Sequence, residues 1–232
     1  MKNIKEWLFK RQLVYSTLAL FYRGELTKGL DNLYNTDFLQ QLLDYSDNTI
    51  LKSSTVKIIN DIEDNKNNRD YIKLLLDDYQ KLFVGPDHIL VPLWESVYRT
   101  KDKIIFDETE LEIRRLYNKS GLDVKKNEPA DHLSLELAFM ARLCAKVSVN
   151  EAFKINELLV KQQEFLKEHL LKWTLSFVEK VKGNSSTEFW KNWSLVTRTW
   201  LENDFGELEK TIQEKLKETN IVLKNMLDII LK

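Results

Sequence analysis

The chain has 232 residues, 43% apolar and 31% charged, with a formal net charge of −1. That balance excludes a disordered chain and leaves no basic footprint for nucleic acid. Six glycines and three prolines fall far below the ~12% average, too few for the many tight turns of a β-sandwich or barrel, so the predicted fold class is all-α.

Helical periodicity supports this along the chain. The first predicted helix covers Ile4 to Arg23, with Leu8, Leu13, Val14, Leu18, Phe21 and Tyr22 facing inward and Gly24 ending it. A short helix near Asp37–Asp44 and another over Ser54–Asp64 follow, then a polar break at Asn65–Asn68. The next, Arg69–Phe83, stops at Gly85-Pro86, which is sound terminating chemistry. From Val84 to Asp107 the periodicity disappears, Glu108–Lys119 is helical again, and Gly121–Ala130 forms a second connector. Asp131 is placed to cap a helix whose core face reads Leu133, Leu137, Met140, Cys144 and Val147. A long stretch from Glu151 to Lys182 ends at Gly183, and a helix striped by Phe189, Trp190, Trp193, Val196 and Trp200 follows. A separate last helix uses Leu208, Ile212, Leu216, Leu223, Leu227 and Ile230. Nine or ten helices are expected in a single domain, with a hinge at Gly121–Asp131 between an N-terminal part (about 1–120) and a C-terminal part (about 131–232).

The uncharged apolar-rich run Leu13–Tyr22 spans ten residues, short of the ~18 that cross a bilayer. Glu6 and Arg11 interrupt any secretory-signal pattern. The expected location is therefore the cytoplasm, without an integral membrane segment. A single cysteine, Cys144, excludes an internal disulfide and a multi-cysteine metal cluster, and its place among aliphatic neighbours predicts an inert core thiol. No His-Glu-x-x-His spacing, phosphate-cradling Gly-x-x-x-x-Gly-Lys loop or Gly-x-Gly-x-x-Gly turn occurs. His169 lies in a strongly periodic helix and is expected to pack.

Unstructured connectors longer than ~12–15 residues are usually functional in compact domains. The second connector leads into Glu128-Pro129-Ala130-Asp131-His132, with Glu136 four residues beyond His132. One reading is a recognition or acid–base site, three carboxylates around one imidazole; the plainer one is a capped helix with His132 satisfied by Glu136. Tyr79, Leu82, Phe83, Gly85 and Pro86, followed by Pro92, Trp94, Glu95 and Tyr98, suit either a groove for an apolar peptide or a loop pinned to the core by its aromatics.

These blocks together resemble the TorD/DmsD family of redox-enzyme maturation chaperones. The match runs from Tyr79 through Phe83, Gly85-Pro86, Pro92-Leu93-Trp94-Glu95-Ser96 and Tyr98 to Asn127–His132 with Glu136-Leu137. It continues at Phe165, His169-Leu170 and Trp173, with Leu18-Ala19-Leu20-Phe21-Tyr22 near the start. The resemblance implies a non-enzymatic cytoplasmic chaperone for the catalytic subunit of a molybdenum-cofactor oxidoreductase, gripping its twin-arginine signal peptide. It assigns the peptide surface to Tyr22, Tyr79, Leu82, Phe83, Pro86, Pro92, Trp94, Pro129, Asp131 and His132. Asp131, aided by Glu128 and Glu95, is expected to meet the arginines, with His132 orienting it. The resemblance implies no resident cofactor beyond weak guanine-nucleotide binding, and both a monomer and a domain-swapped dimer are compatible with the hinge. Asp107 stands where many relatives have Gly, and Asp87 where an aromatic is found. The alternative reading is a helical hydrolase or nucleotide-binding protein centred on Asp131 and His132.

Overall fold

A computed structural model describes residues 3–35, 38–45, 47–85, 88–100, 107–146 and 152–230. Every regular element among them is helical. Helix α1 (Ile4–Tyr22) starts where the Asn3 side chain accepts from the Lys5 and Glu6 amides, and it ends at Gly24 (φ 81°). Only glycine suits that position: the backbone is left-handed, and an added Cβ would lie 3.1 Å from the Tyr79 hydroxyl.

Helix α2 (Leu26–Asn35) occupies a stretch left unassigned by periodicity. Leu26, Leu30 and Leu33 are buried there, and Gly29, which reads as a helix breaker, lets the Phe21 ring pack against the backbone. Helix α3 (Phe38–Tyr45) follows, and α4 (Thr49–Asp64) begins five residues earlier than expected because Asn48 accepts from the Ile50 and Leu51 amides. Helix α5 (Tyr71–Tyr79) runs into a π-helical turn, Gln80–Val84, closed by Gly85.

The first connector is not wholly irregular, since it contains the short helix α6 (Glu95–Arg99). Asp107, one of the two noted departures, caps α7 (Glu108–Lys119) by accepting from the Thr109 and Glu110 amides. Helix α8 (Leu133–Ala145) follows the second connector, and Val147, predicted on its core face, is outside the described residues. Helix α9 (Ala152–Phe165) passes through a second π-helical turn, Leu166–Leu170, into α10 (Leu171–Asn184). Gly183 lies inside the last turn of α10 rather than beyond it.

Beyond α10 the sequence suggested two helices, but a single helix, α11 (Glu188–Ile230), replaces them. Asn203-Asp204-Phe205-Gly206 looks like a break, yet Asp204 is fully buried and accepts from Arg11 Nε at 2.5 Å, Arg11 Nη2 at 2.8 Å and the Tyr15 hydroxyl at 2.6 Å. With its carboxylate satisfied from α1, Asp204 has no need to turn back on its own backbone. The aromatic stripe of α11 forms the centre of the core: Phe21 packs on Trp193 at 4.2 Å between centroids, and Tyr15 meets Trp200 edge-on at 6.0 Å. Helices α4, α9 and α10 also pack on α11, while α1 packs on α8. One hydrophobic cluster runs through both halves of the chain.

Candidate functional site

Both connectors arrive at the same place. Residues 93–95 and 131–133 run antiparallel, with the Glu95 amide donating to the Asp131 carbonyl (3.0 Å) and the Leu133 amide to the Leu93 carbonyl (2.8 Å). Trp94 and His132 are the paired residues of this bridge, their rings 5.6 Å apart and nearly perpendicular. The Val91 amide donates to the Leu82 carbonyl at 2.8 Å, which anchors the first connector to the π-helical turn after α5. Farther along, the Tyr98 hydroxyl donates to the Pro92 carbonyl and its ring lies on Trp173.

A groove of about 440 Å³ opens over the bridge. Its apolar lining comes from Tyr22, Tyr79, Trp94 and Pro129, joined by His132. Arg23, Lys125, Asn127, Glu128 and Ser134 supply the polar part. Arg23, Lys125, Asn127 and Ser134 were missed by sequence reasoning. Their one signal was adjacency: Arg23 follows Tyr22, and the rest flank the Pro129–His132 motif.

Other predicted residues lie below this surface. Leu82 and Phe83 are core, Phe83 packing 6.1 Å from Phe177 and 5.4 Å from Trp190. Tyr22 is itself buried, its hydroxyl bonded to Thr197 Oγ1 at 2.9 Å, and the Tyr79 hydroxyl donates to the Tyr22 carbonyl. Pro92 and Tyr98 are half-buried and do not line the groove. Pro86 and Asp87 are outside the described residues.

The expected carboxylate cluster needs correction. Asp131 and Glu95 are both fully buried and face away from the groove. Asp131 does not cap α8; its Oδ2 accepts from the Ser96 amide at 2.9 Å and so caps α6. Glu95 pairs with Arg99 and, at 3.2 Å, with Nδ1 of the buried His169. Glu136 does not meet His132; it lies in the core and accepts from Trp173 Nε1 at 3.4 Å. Burial pushes the Glu136 carboxyl well above the usual range, and the neighbouring charges of Glu95 and Asp131 add to the rise. Burial also raises Asp131.

His132, not Asp131, caps α8, its Nδ1 accepting from the Ser134 amide at 3.2 Å. Nδ1 is therefore unprotonated and the neutral ring carries its proton on Nε2. Burial, with a smaller contribution from the Arg23 charge, pushes this imidazole down to about 4, so it is neutral at pH 7. An acid–base centre of Asp131, His132 and Glu136 is thus not assembled: no carboxylate orients the imidazole, and the two acids are sealed behind it. Cys144 is a buried thiol, pushed up to about 12 by burial. Among the described residues no cluster of His, Cys, Asp and Glu is placed to hold a metal ion, and no helix is long and apolar enough to cross a membrane.

Comparison with known proteins gives a consistent likeness. The family described as Nitrate reductase delta subunit matches residues 36–179, which include both connectors. The chain is 26% identical over 186 residues to the chaperone protein TorD of Vibrio parahaemolyticus, covering 78% of this chain and 86% of that protein. It is 22% identical to the TorD chaperone of Vibrio cholerae over 218 residues, covering 92% of this chain and 99% of the other. With a probable Tat proofreading chaperone, DmsD of Haemophilus influenzae, it shares 30% identity over 125 residues, 53% of this chain and 56% of that one.

Proposed function

The chain belongs to the nitrate reductase delta subunit family, on the TorD/DmsD branch of chaperones rather than enzymes, and from that premise we propose that it is a cytoplasmic maturation chaperone for a molybdenum-cofactor oxidoreductase. It binds the twin-arginine signal peptide of the apoenzyme, keeps the client open for cofactor insertion and delays its export. The observation that carries this reading is the convergence of the two connectors into one aromatic-walled groove. Such a slot can seat a few apolar side chains of an extended segment, and micromolar affinity requires only ~8 kcal/mol. Trp94 is the main apolar anchor, because it joins the groove wall to the bridge that holds both connectors.

A fluorescently labelled synthetic peptide with an Arg-Arg pair and a leucine-rich stretch tests this by polarisation. Trp94→Ala is expected to weaken binding about tenfold, equivalent to ~1.4 kcal/mol, with the far-UV helical signal unchanged at the assay temperature. Equal affinity in the variant, or no binding by the unaltered chain, rules the groove out.

A further inference from the structure

The groove's charge is the opposite of what arginine recognition calls for. Of its lining residues, Arg23 and Lys125 are cationic and Glu128 alone is a carboxylate. Asp131 and Glu95, which would have reversed this balance, are sealed in the core. Arg23 is more than half exposed, and its carboxylate neighbour Glu25 stands off at 3.8 Å while binding Lys28 at 2.6 Å. The Arg23 guanidinium therefore retains most of its donor capacity, and its charge reaches the His132 imidazole.

Of the neutral groups lining the groove, His132 carries its ring proton on Nε2 because Nδ1 is taken by Ser134, whereas the Trp94 indole N–H is sealed from solvent. Little of this comes from the helix start itself. The first amides of α8 are satisfied: Leu133 by Leu93, Ser134 by His132 Nδ1, and Leu135 and Glu136 by the His132 carbonyl. The ligand chemistry is thus set by side chains, and it asks for an acceptor with negative charge.

We propose that the groove takes an acidic side chain of the client peptide, flanked by apolar residues, with Arg23 and Lys125 as its charge partners, while the peptide's arginines stay outside. This rests on the reading of the groove as a peptide site and sharpens it. Tyr79, Trp94 and Pro129 accommodate the apolar flanks and the alkyl stem. A charge-assisted hydrogen bond from a guanidinium is about twice as strong as a neutral one, so an acidic residue would discriminate among leaders that share the arginine pair.

The test uses the full chain and paired synthetic peptides with one Arg-Arg pair and a leucine-rich stretch, differing only by Glu against Gln at successive positions. At one position the Glu peptide is expected to bind five- to tenfold more tightly, a preference that shrinks as salt is raised. Arg23→Glu with Lys125→Glu is expected to bring that ratio to one or invert it. Lys57→Glu, an exposed charge on α4, controls for net charge and is expected to keep the ratio. A ratio near one at every position, or one untouched by the double reversal, overturns the inference; loss of binding in Trp94→Ala would then leave the peptide reading standing. No binding of any peptide overturns both. Inorganic phosphate displacing the Glu peptide at far lower concentration than glutarate would assign the groove to phosphate and overturn the carboxylate.

Discussion

Asp204→Ala is expected to cost ~3–5 kcal/mol of folding stability, the range for breaking a buried ion pair from one side. Both partners are fully buried, and the carboxylate accepts two bonds from the Arg11 guanidinium and one from the Tyr15 hydroxyl, with Tyr45 at 3.4 Å. Removing it leaves a charge that cannot be shed in the core, although the Trp7 ring lies 4.5 Å below Arg11. The arginine is the source of the penalty, so Arg11→Met combined with Asp204→Asn should be more stable than Asp204→Ala alone. Urea unfolding of the three variants measures both effects. A loss below ~1 kcal/mol in the single variant would mean that the pair is solvated and that the α1–α11 contact does not depend on it.

That contact joins residues 193 positions apart, and local pattern reading could not reach it. Periodicity and punctuation located α1, α7 and the α9–α10 stretch, because Gly24 and the spacing of apolar residues along each stretch are local signals. The same rules passed over α2, where Gly29 serves packing rather than termination, and divided α11, where Asp204 answers to a distant arginine.

Nor could the motif Pro129-Ala130-Asp131-His132 reveal on its own which of its polar residues faces outward. In extended backbone successive side chains point to opposite sides. Once Trp94 pairs with His132 across the bridge, both rings share the groove face, and Glu95 and Asp131 are directed inward together. The sequence singled out two segments that do meet, and combined two faces of them into one.

Asp131 gives the sharpest separation of these readings. Asp131→Ala is expected to lose ~2 kcal/mol, the upper range for a helix cap, because the Ser96 amide is left buried without its acceptor. Peptide affinity should fall with it, since the freed α6 start carries Trp94. Asp131→Asn behaves differently. The amide oxygen still accepts from Ser96, and one negative charge is removed from beside Glu95 and Glu136, so stability at pH 7 is expected to hold within about 1 kcal/mol and peptide affinity within twofold. The pH dependence supplies a further sign. Burial raises the Asp131 carboxyl above its unfolded value, so the native chain holds a proton that the unfolded chain has released. Its contribution to stability is present below the unfolded pKa and lost as pH rises through the folded one. Asp131→Asn should therefore lose less stability than the unaltered chain as pH rises from 4 to 7. The depressed His132 pushes the other way between pH 6.5 and about 4, and it contributes to both proteins alike. If Asp131→Asn instead weakens the peptide tenfold with an unchanged unfolding curve, the carboxylate reaches the arginines directly and the inward orientation is wrong.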